Sequence, residues 1–577
     1  MSVRKVDPML DSAHSAPRFK NRRRRTDHGR PPDGEVLTWR VIAVSAAPAV
    51  VIALVVLLPF LGKAFSVDDV TFLLQANHVL QDPLHPTAFD MVFHGVPTRL
   101  SSQLVSGPVM AWLLVPAVLA GGAEWIAHLI QAVFLGAGAV ATVALGLRLG
   151  LDRLQAGIAG LLLVVSPGVI AMAATAMPDV NGMTFAAAGM ERLVAWRQQG
   201  KWTAALWASL FLALAVLSRP HLLLVFAAGA LLLLDDNGRP AERWRWRWKN
   251  VPLYQRAAPF ALALAALVVV NYVMRDPRSG NDIAQATLSR MSYAGFWPNL
   301  ANFPLQWALS FPLVLLWPCV GPRRFLRSRW ALAGLVLGLL LAIASKPPAW
   351  DGWTFPCIVL VALGTAVLAD IVGDAWARRD MTQMALGVWL LIAVSAAPYT
   401  QLPAKYLVPS APAMAILIAR QVRTDEGRRS MQAAVLCLVG VTALLLGILI
   451  IRADAALAQI GREGGAVTAD EVARGGQVWM DGAWGFQWYA MKAGAKPMTV
   501  SPPHPQRGDV VVVGLQGVLA QSILTKTLVE RRVFVEPGGR VLSREAHAGF
   551  FSNPWGPLPW SWGHDELGRI EVWRIGR

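Results

Sequence analysis

The sequence predicts a multi-pass α-helical membrane protein. It would have about thirteen transmembrane helices, its N-terminus in and its C-terminus out, and a small C-terminal α/β extracytoplasmic domain. Three observations predict this class. The 577 residues are 55% hydrophobic and only 15% charged, where soluble domains carry roughly 25% charged residues. Apolar runs recur through residues 41–451, many of them near the ~20 residues that a spanning helix needs. The basic residues gather in an N-terminal tail and in short loops between those runs, which is the positive-inside pattern. The net charge of +17 therefore reports topology and argues against a nucleic-acid partner.

Residues 1–40 are polar and include "RFKNRRRR" at 18–25. They read as a disordered basic cytoplasmic tail, and the first apolar run as an uncleaved signal anchor. Spans are expected near 41–61, 125–147, 155–176, 182–196, 202–217, 220–234, 257–274, 304–320, 330–345, 353–372, 383–397, 402–419 and 432–451. With the N-terminus inside, this count places "RQQGK", "ERWRWRWK", "GPRRFLRSR" and "RQVRTDEGRR" in the cytoplasm. It places Asp68, Asp179, Arg219, Lys346 and Lys405 at the outer face. The run "VSGPVMAWLLVPAVLA" (105–120) cannot span without turning every later basic loop outward. It is expected to re-enter from the outer side, within the outer loop 62–124, next to a cavity that covers its backbone. The three cysteines, Cys319, Cys357 and Cys437, lie in apolar runs and form no CxxC pattern.

The outer face collects the ionisable groups, and a charge at membrane depth is a functional hypothesis by default. The stretch "FSVDDVTFLLQANHVL" begins at Phe65. It predicts an amphipathic interfacial helix over 69–82, with Asp68, Thr71, Gln75, His78 and Asp82 on a wet stripe. Ser66 and Asp69 fit a capping box, which leaves Asp68 as the acid facing the cavity. Asp179 in "AMPDVNG" could cap the next span or act as a second acid. Arg219 in "LSRPHLLL" could snorkel or bind an anion. Two acids and several cations beside an apolar cleft suit a lipid-linked phosphate substrate. One carboxylate would take the proton of an acceptor hydroxyl, and the cations would hold the phosphate.

These motifs, in this order and on one side, resemble the GT-C glycosyltransferases. The resemblance is nearest to the glycosyltransferase family 39 protein mannosyltransferases and the lipid A aminoarabinose transferases, and covers roughly residues 40–450. It is carried by Asp68-Asp69 after the first span, "GPVMAW" (107–112) in the first loop, Pro178-Asp179, "SRP" (218–220) and "KYLVP" (405–409). It implies transfer of a sugar from a polyprenyl-phosphate donor to a lipid, glycan or protein acceptor, with inversion. It implies an active site on the extracytoplasmic side of a bacterial cytoplasmic (inner) membrane. On it Asp68 is the base and Asp179 the second essential acid. Arg219, Lys405, Arg99 and Lys346 are donor or phosphate contacts, with Asp69 and Tyr406 in support. No cofactor is called for. A divalent metal stays open, with His85 and His94 as ligand candidates. Two positions depart from the family pattern: Asp69 stands for a glutamate, and Ser106-Gly107-Pro108 for Lys-Pro-Pro. The alternative is a transporter or flippase of lipid-linked sugars, which should carry charges near the bilayer midplane and repeat-related halves.

Residues 452–577 are expected to form the outer α/β domain, with strands at 509–514, 532–537 and 569–575. Its aromatic runs at 478–494 and 550–563 could stack on a sugar or simply pack.

Overall fold

The structure is a computed structural model. It describes residues 37–93, 95–103, 106–234, 251–280, 283–345, 354–399, 401–422, 426–523, 525–535, 539–552 and 555–576. The basic tail up to residue 36, His94, Lys346 and the "ERWRWRWK" run lie outside the described residues.

The first half runs α1 (Trp39–Leu57), α2 (Asp69–Val79), the hairpin β1 (Asp90–Phe93) and β2 (Val96–Arg99), then α3 (Val109–Leu119). It continues with α4 (Glu124–Arg148), α5 (Arg153–Val165), α6 (Pro167–Ala173), α7 (Asp179–Gln199), α8 (Trp202–Ser218) and α9 (Val225–Leu234). The second half holds α10 (Ala258–Val273), α11 (Phe296–Leu309), α12 (Leu313–Val320), α13 (Arg329–Ser345), α14 (Thr354–Arg378), α15 (Met381–Leu391), α16 (Ala411–Gln421) and α17 (Glu426–Ala473). Each expected span falls on one of these helices or on a bent pair. Among the described residues, 4 helices are long and apolar enough to cross a membrane, or up to 6 if each bent pair is one span. The apolar side chains of α13 that stay exposed, Leu332, Val336, Leu340 and Ile343, recur at helical spacing along one face. Such a stripe suits contact with lipid or another apolar surface, not water.

Two expected straight spans are bent. α5 and α6 meet at 63°, as do α11 and α12. Pro167 opens α6 and holds Ser166 extended, because the residue before a proline is driven out of the helical region. Pro312 stands at the second break, as the N-cap of α12. Local signals fix other ends. Asp152 and Gln155 form a reciprocal capping box at the start of α5. Gly200, at φ 65°, closes α7 in the left-handed conformation that glycine adopts freely.

The last expected span does not stop at 451. α17 runs for 48 residues, about 70 Å at 1.5 Å per residue, so the boundary drawn at 452 lies inside a continuous helix. Its far end packs on a five-stranded mixed sheet ordered β4-β3-β5-β7-β6. The strands are β3 (Val478–Asp481), β4 (Lys496–Pro497), β5 (Val510–Val513), β6 (Lys526–Phe534) and β7 (Gly568–Ile575), with α18 (Gly485–Lys492) between β3 and β4. The strand expected at 532–537 starts earlier, and β3 and β4 were not foreseen. Val510 and Val512 pack with Ile460 and Phe486, while Val511 joins Trp479 and Ile575 on the other face. Both sheet faces are covered, so β5 reads as an unbroken valine run without the alternation that marks a half-wet strand.

Candidate active site

The acid pair after α1 splits into two environments. Asp69 is fully buried. Its Oδ2 accepts from the Ser66 amide at 2.9 Å and its Oδ1 from the Ala176 amide at 2.8 Å. Burial pushes its carboxyl up to about 7, against the opposing pull of Lys63 and the two amides. Asp69 is thus a clamp that ties the start of α2 to the loop before α7. The expected capping box is only half formed. Asp68 occupies the N-cap position, and the Ser66 hydroxyl turns to Asp454 instead, at 3.1 Å. The helix is shorter than expected, ending at Val79, and Gln75 of its supposed wet stripe is buried.

The loop carrying Asp68 is braced by the C-terminal third of the chain. Lys63 and Asp454 form a buried ion pair at 2.9 Å. The Phe65 amide donates to the Tyr489 hydroxyl at 3.0 Å, and that hydroxyl donates to Glu124 at 2.9 Å. Gly485 packs so closely on the Phe65 carbonyl that a Cβ there would overlap its oxygen. Between these contacts Val67 is held at φ 37°, a region that β-branched residues avoid. Backbone strain of this kind persists only where the surroundings enforce it.

Asp68 keeps 41% of its side chain exposed while its Oδ2 meets the buried Lys405 ammonium at 2.7 Å. Beside it lies a second, fully enclosed pair. Arg219 grips Asp179 with two bonds, Nε to Oδ1 at 3.0 Å and Nη2 to Oδ2 at 2.7 Å. Its third nitrogen, Nη1, donates to the Ser106 hydroxyl at 2.9 Å. The Tyr406 ring lies under the guanidinium, 5.5 Å from ring centroid to Cζ. The two pairs are close enough to act on each other electrostatically. All five groups sit at element ends: Asp68 before α2, Ser106 before α3, Asp179 at the start of α7, Arg219 after α8 and Lys405 before α16.

The run that was expected to re-enter does bring its N-terminal end here. Gly107 reaches Ser106 into the site because it has no side chain: a Cβ would overlap the Leu217 carbonyl oxygen. Gly107→Ala is therefore expected to push Ser106 off Arg219 and lower the melting temperature. Gly62→Ala, at a glycine whose Cβ would meet nothing within 4 Å, is expected to leave it unchanged. Thermal melting of both variants checks this.

Other candidates lie elsewhere. Arg99 binds Asp276 through Nε at 2.7 Å and Nη2 at 3.0 Å, and Asp90 at 3.4 Å. Burial raises the Asp276 carboxyl, but the bonds from Arg99 and Ser101 outweigh it and hold it well below the usual carboxylate range. Arg99 thus ties the β1–β2 hairpin to the chain after α10, and the expected phosphate contact is occupied by a carboxylate. His85 bonds Asp82 at 3.0 Å. Among the described residues no group of three or more His, Cys, Asp or Glu could hold a metal ion. Lys63, Asp454 and Tyr489 brace the site and were not anticipated, since single buried polar residues carry no local signal; Ser106 was noted only as a departure from the family pattern.

Fold and site together define a polytopic membrane protein with paired charges gathered where its helices end. No family model and no curated protein sequence matches the chain. Among solved structures it is similar to ArnT from Cupriavidus metallidurans bound to undecaprenyl phosphate, at 14% identity and TM-score 0.43, over 92% of this chain and 98% of that one. It is similar to the apo Archaeoglobus fulgidus oligosaccharyltransferase, at 12% identity and TM-score 0.44, over 79% and 64%. It is also similar to the arabinofuranosyltransferase AftD from Mycobacteria, at 14% identity and TM-score 0.39, over 94% and 42%. At these identities and scores the likeness assigns no role to any residue.

Proposed function

We propose that the chain is a GT-C-type membrane glycosyltransferase. It would transfer a glycosyl residue from a polyprenyl-phosphate donor to a hydroxyl acceptor at the outer face of the cytoplasmic membrane, with inversion. The observation that carries this reading is the Asp68–Lys405 pair, a carboxylate half in water joined to a buried ammonium. Lys405 has three N–H donors, so it can meet a phosphate as well as Asp68. A donor phosphate would draw Lys405 toward itself and relieve Asp68 of a positive neighbour that weakens it as a base. Asp68 then accepts the proton of the acceptor hydroxyl as its oxygen attacks C1 of the sugar. The C1–O bond to phosphate breaks, and polyprenyl phosphate leaves with the bonding electrons.

Asp179 takes a different part from the one the sequence suggested. With both its oxygens on Arg219 and no exposure, it fixes that guanidinium and acts through it. Arg219, whose three nitrogens are engaged with Asp179 and Ser106, supplies fixed positive potential beside Lys405. The fuller topology, about thirteen spans with the sheet domain outside, remains part of this proposal.

The test is the fate of a sugar-labelled polyprenyl-phosphate donor with the purified chain in vesicles. The reading expects labelled sugar to appear on an acceptor with inverted anomeric configuration by NMR. Movement of the intact donor across the bilayer without cleavage supports the transporter instead.

A further inference from the structure

The two aromatic runs of the C-terminal segment meet in space. Trp484, from the first, and Trp555, from the second, lie 5.0 Å apart between ring centroids. The Arg544 guanidinium stands over both rings, at 5.0 Å and 4.7 Å. Arg544 borders a half-open cavity of about 350 Å³ between α17 and the sheet, within the roughly 300–1,000 Å³ of ligand pockets.

The other charges on this wall are matched. Arg540 pairs with Asp565 at 2.9 Å, and Arg569 lies between Glu566 at 3.1 Å and Glu571 at 3.9 Å. Among the described residues the Arg544 side chain has no carboxylate at ion-pair distance; its polar partner is neutral. The Gln516 amide, turned so that its oxygen faces the guanidinium, accepts from Nη1 at 2.8 Å and Nη2 at 3.2 Å. Arg544 is exposed; the neighbouring Arg540 acts against its charge and Asp565 supports it. Two non-glycine residues here, Trp484 at φ 60° and Gln516 at φ 64°, hold left-handed backbone. Such outliers gather at ligand sites. An Arg stacked on aromatic rings whose fork is held only by a neutral amide oxygen can exchange that partner for a phosphate or carboxylate, the groups that its planar fork fits best.

We propose that this cavity binds an anionic sugar, phosphorylated or uronic, with Arg544 as the contact for its negative charge. Resting on the transferase reading above, that sugar is part of the acceptor. The cavity adjoins the Asp68 loop through two short paths. Ala453 lines it and is followed by Asp454, which holds Lys63 and Ser66. Trp484 is followed by Gly485, which packs on Phe65. An acceptor anchored here would present its neighbouring sugar toward Asp68.

Calorimetric titration of the full chain in detergent with glucose 6-phosphate, and with glucose, tests the site. The expected result is saturable binding of glucose 6-phosphate, no binding of glucose, and a loss of about tenfold or more in Arg544→Gln. Equal affinity in an Arg544→Gln variant that melts at the native temperature overturns it, as does equal binding of glucose. If Arg544→Gln does not fold, Arg544→Lys decides. It keeps the charge but loses the stacked planar fork, so weaker binding is expected and undiminished binding overturns the proposal. In transfer assays Arg544→Gln should raise the acceptor KM and leave the donor KM unchanged. A rise in the donor KM alone overturns the acceptor assignment. The transferase reading fails separately, if Asp68→Asn transfers sugar at the native rate.

Discussion

Replacing Asp68 by Asn is expected to lower kcat by about 10²–10⁴-fold, the contribution typical of a positioned general base. The side chain is 41% exposed, so amide and carboxylate fit the same space without a buried charge being created at position 68. What changes is the proton acceptor. The buried Lys405 keeps a hydrogen-bonding oxygen but loses its counter-charge, so the donor KM should fall or stay level as the phosphate gains an unopposed cation. A drop in kcat/KM that arises wholly from a higher KM would assign Asp68 to binding and overturn its role as base.

The second large effect is on folding. Arg219→Gln, or Asp179→Asn, is expected to destabilise the protein by about 3–5 kcal/mol, the cost of leaving one member of a buried ion pair without its partner. Neither group can turn to water: Asp179 is fully enclosed and Arg219 nearly so. The double replacement Asp179→Asn with Arg219→Gln should cost clearly less than the sum of the two single changes, because no uncompensated charge remains. Additive costs in denaturant titrations would show that the two residues do not work as a pair. Arg219→Lys is not expected to rescue, since one ammonium cannot reach both Asp179 oxygens and Ser106 as the planar fork does.

The helices were legible because lipid enforces a plain rule: about twenty apolar residues, bounded by charge. What remained illegible depended on distance along the chain. Asp68 and Asp69 are adjacent and chemically alike. Only the Ala176 amide, 107 positions from Asp69, makes one a clamp while the other stays at the water's edge. Arg219 and Lys405 were read as waiting for a phosphate, because nothing local indicated that Asp179 and Asp68 already hold them. Pro167 and Pro312 were visible, but a proline inside an apolar run signals a break without its angle. The C-terminal segment was the hardest to read. The valine run of β5 was read as a strand, but β3 and the two-residue β4 were not, and the Tyr489 and Asp454 braces are single polar groups inside apolar or aromatic stretches.

Sugar transfer centred on Asp68 is the claim on which the rest depends, and one comparison reaches it most directly. The chain is deleted from its host. It is then restored as the native form or as Asp68→Asn at equal membrane abundance, and envelope glycans and lipids are compared by mass spectrometry. The expected result is a mass difference of one sugar residue in the deletion strain, restored by the native chain and not by Asp68→Asn. Full restoration by Asp68→Asn would contradict it.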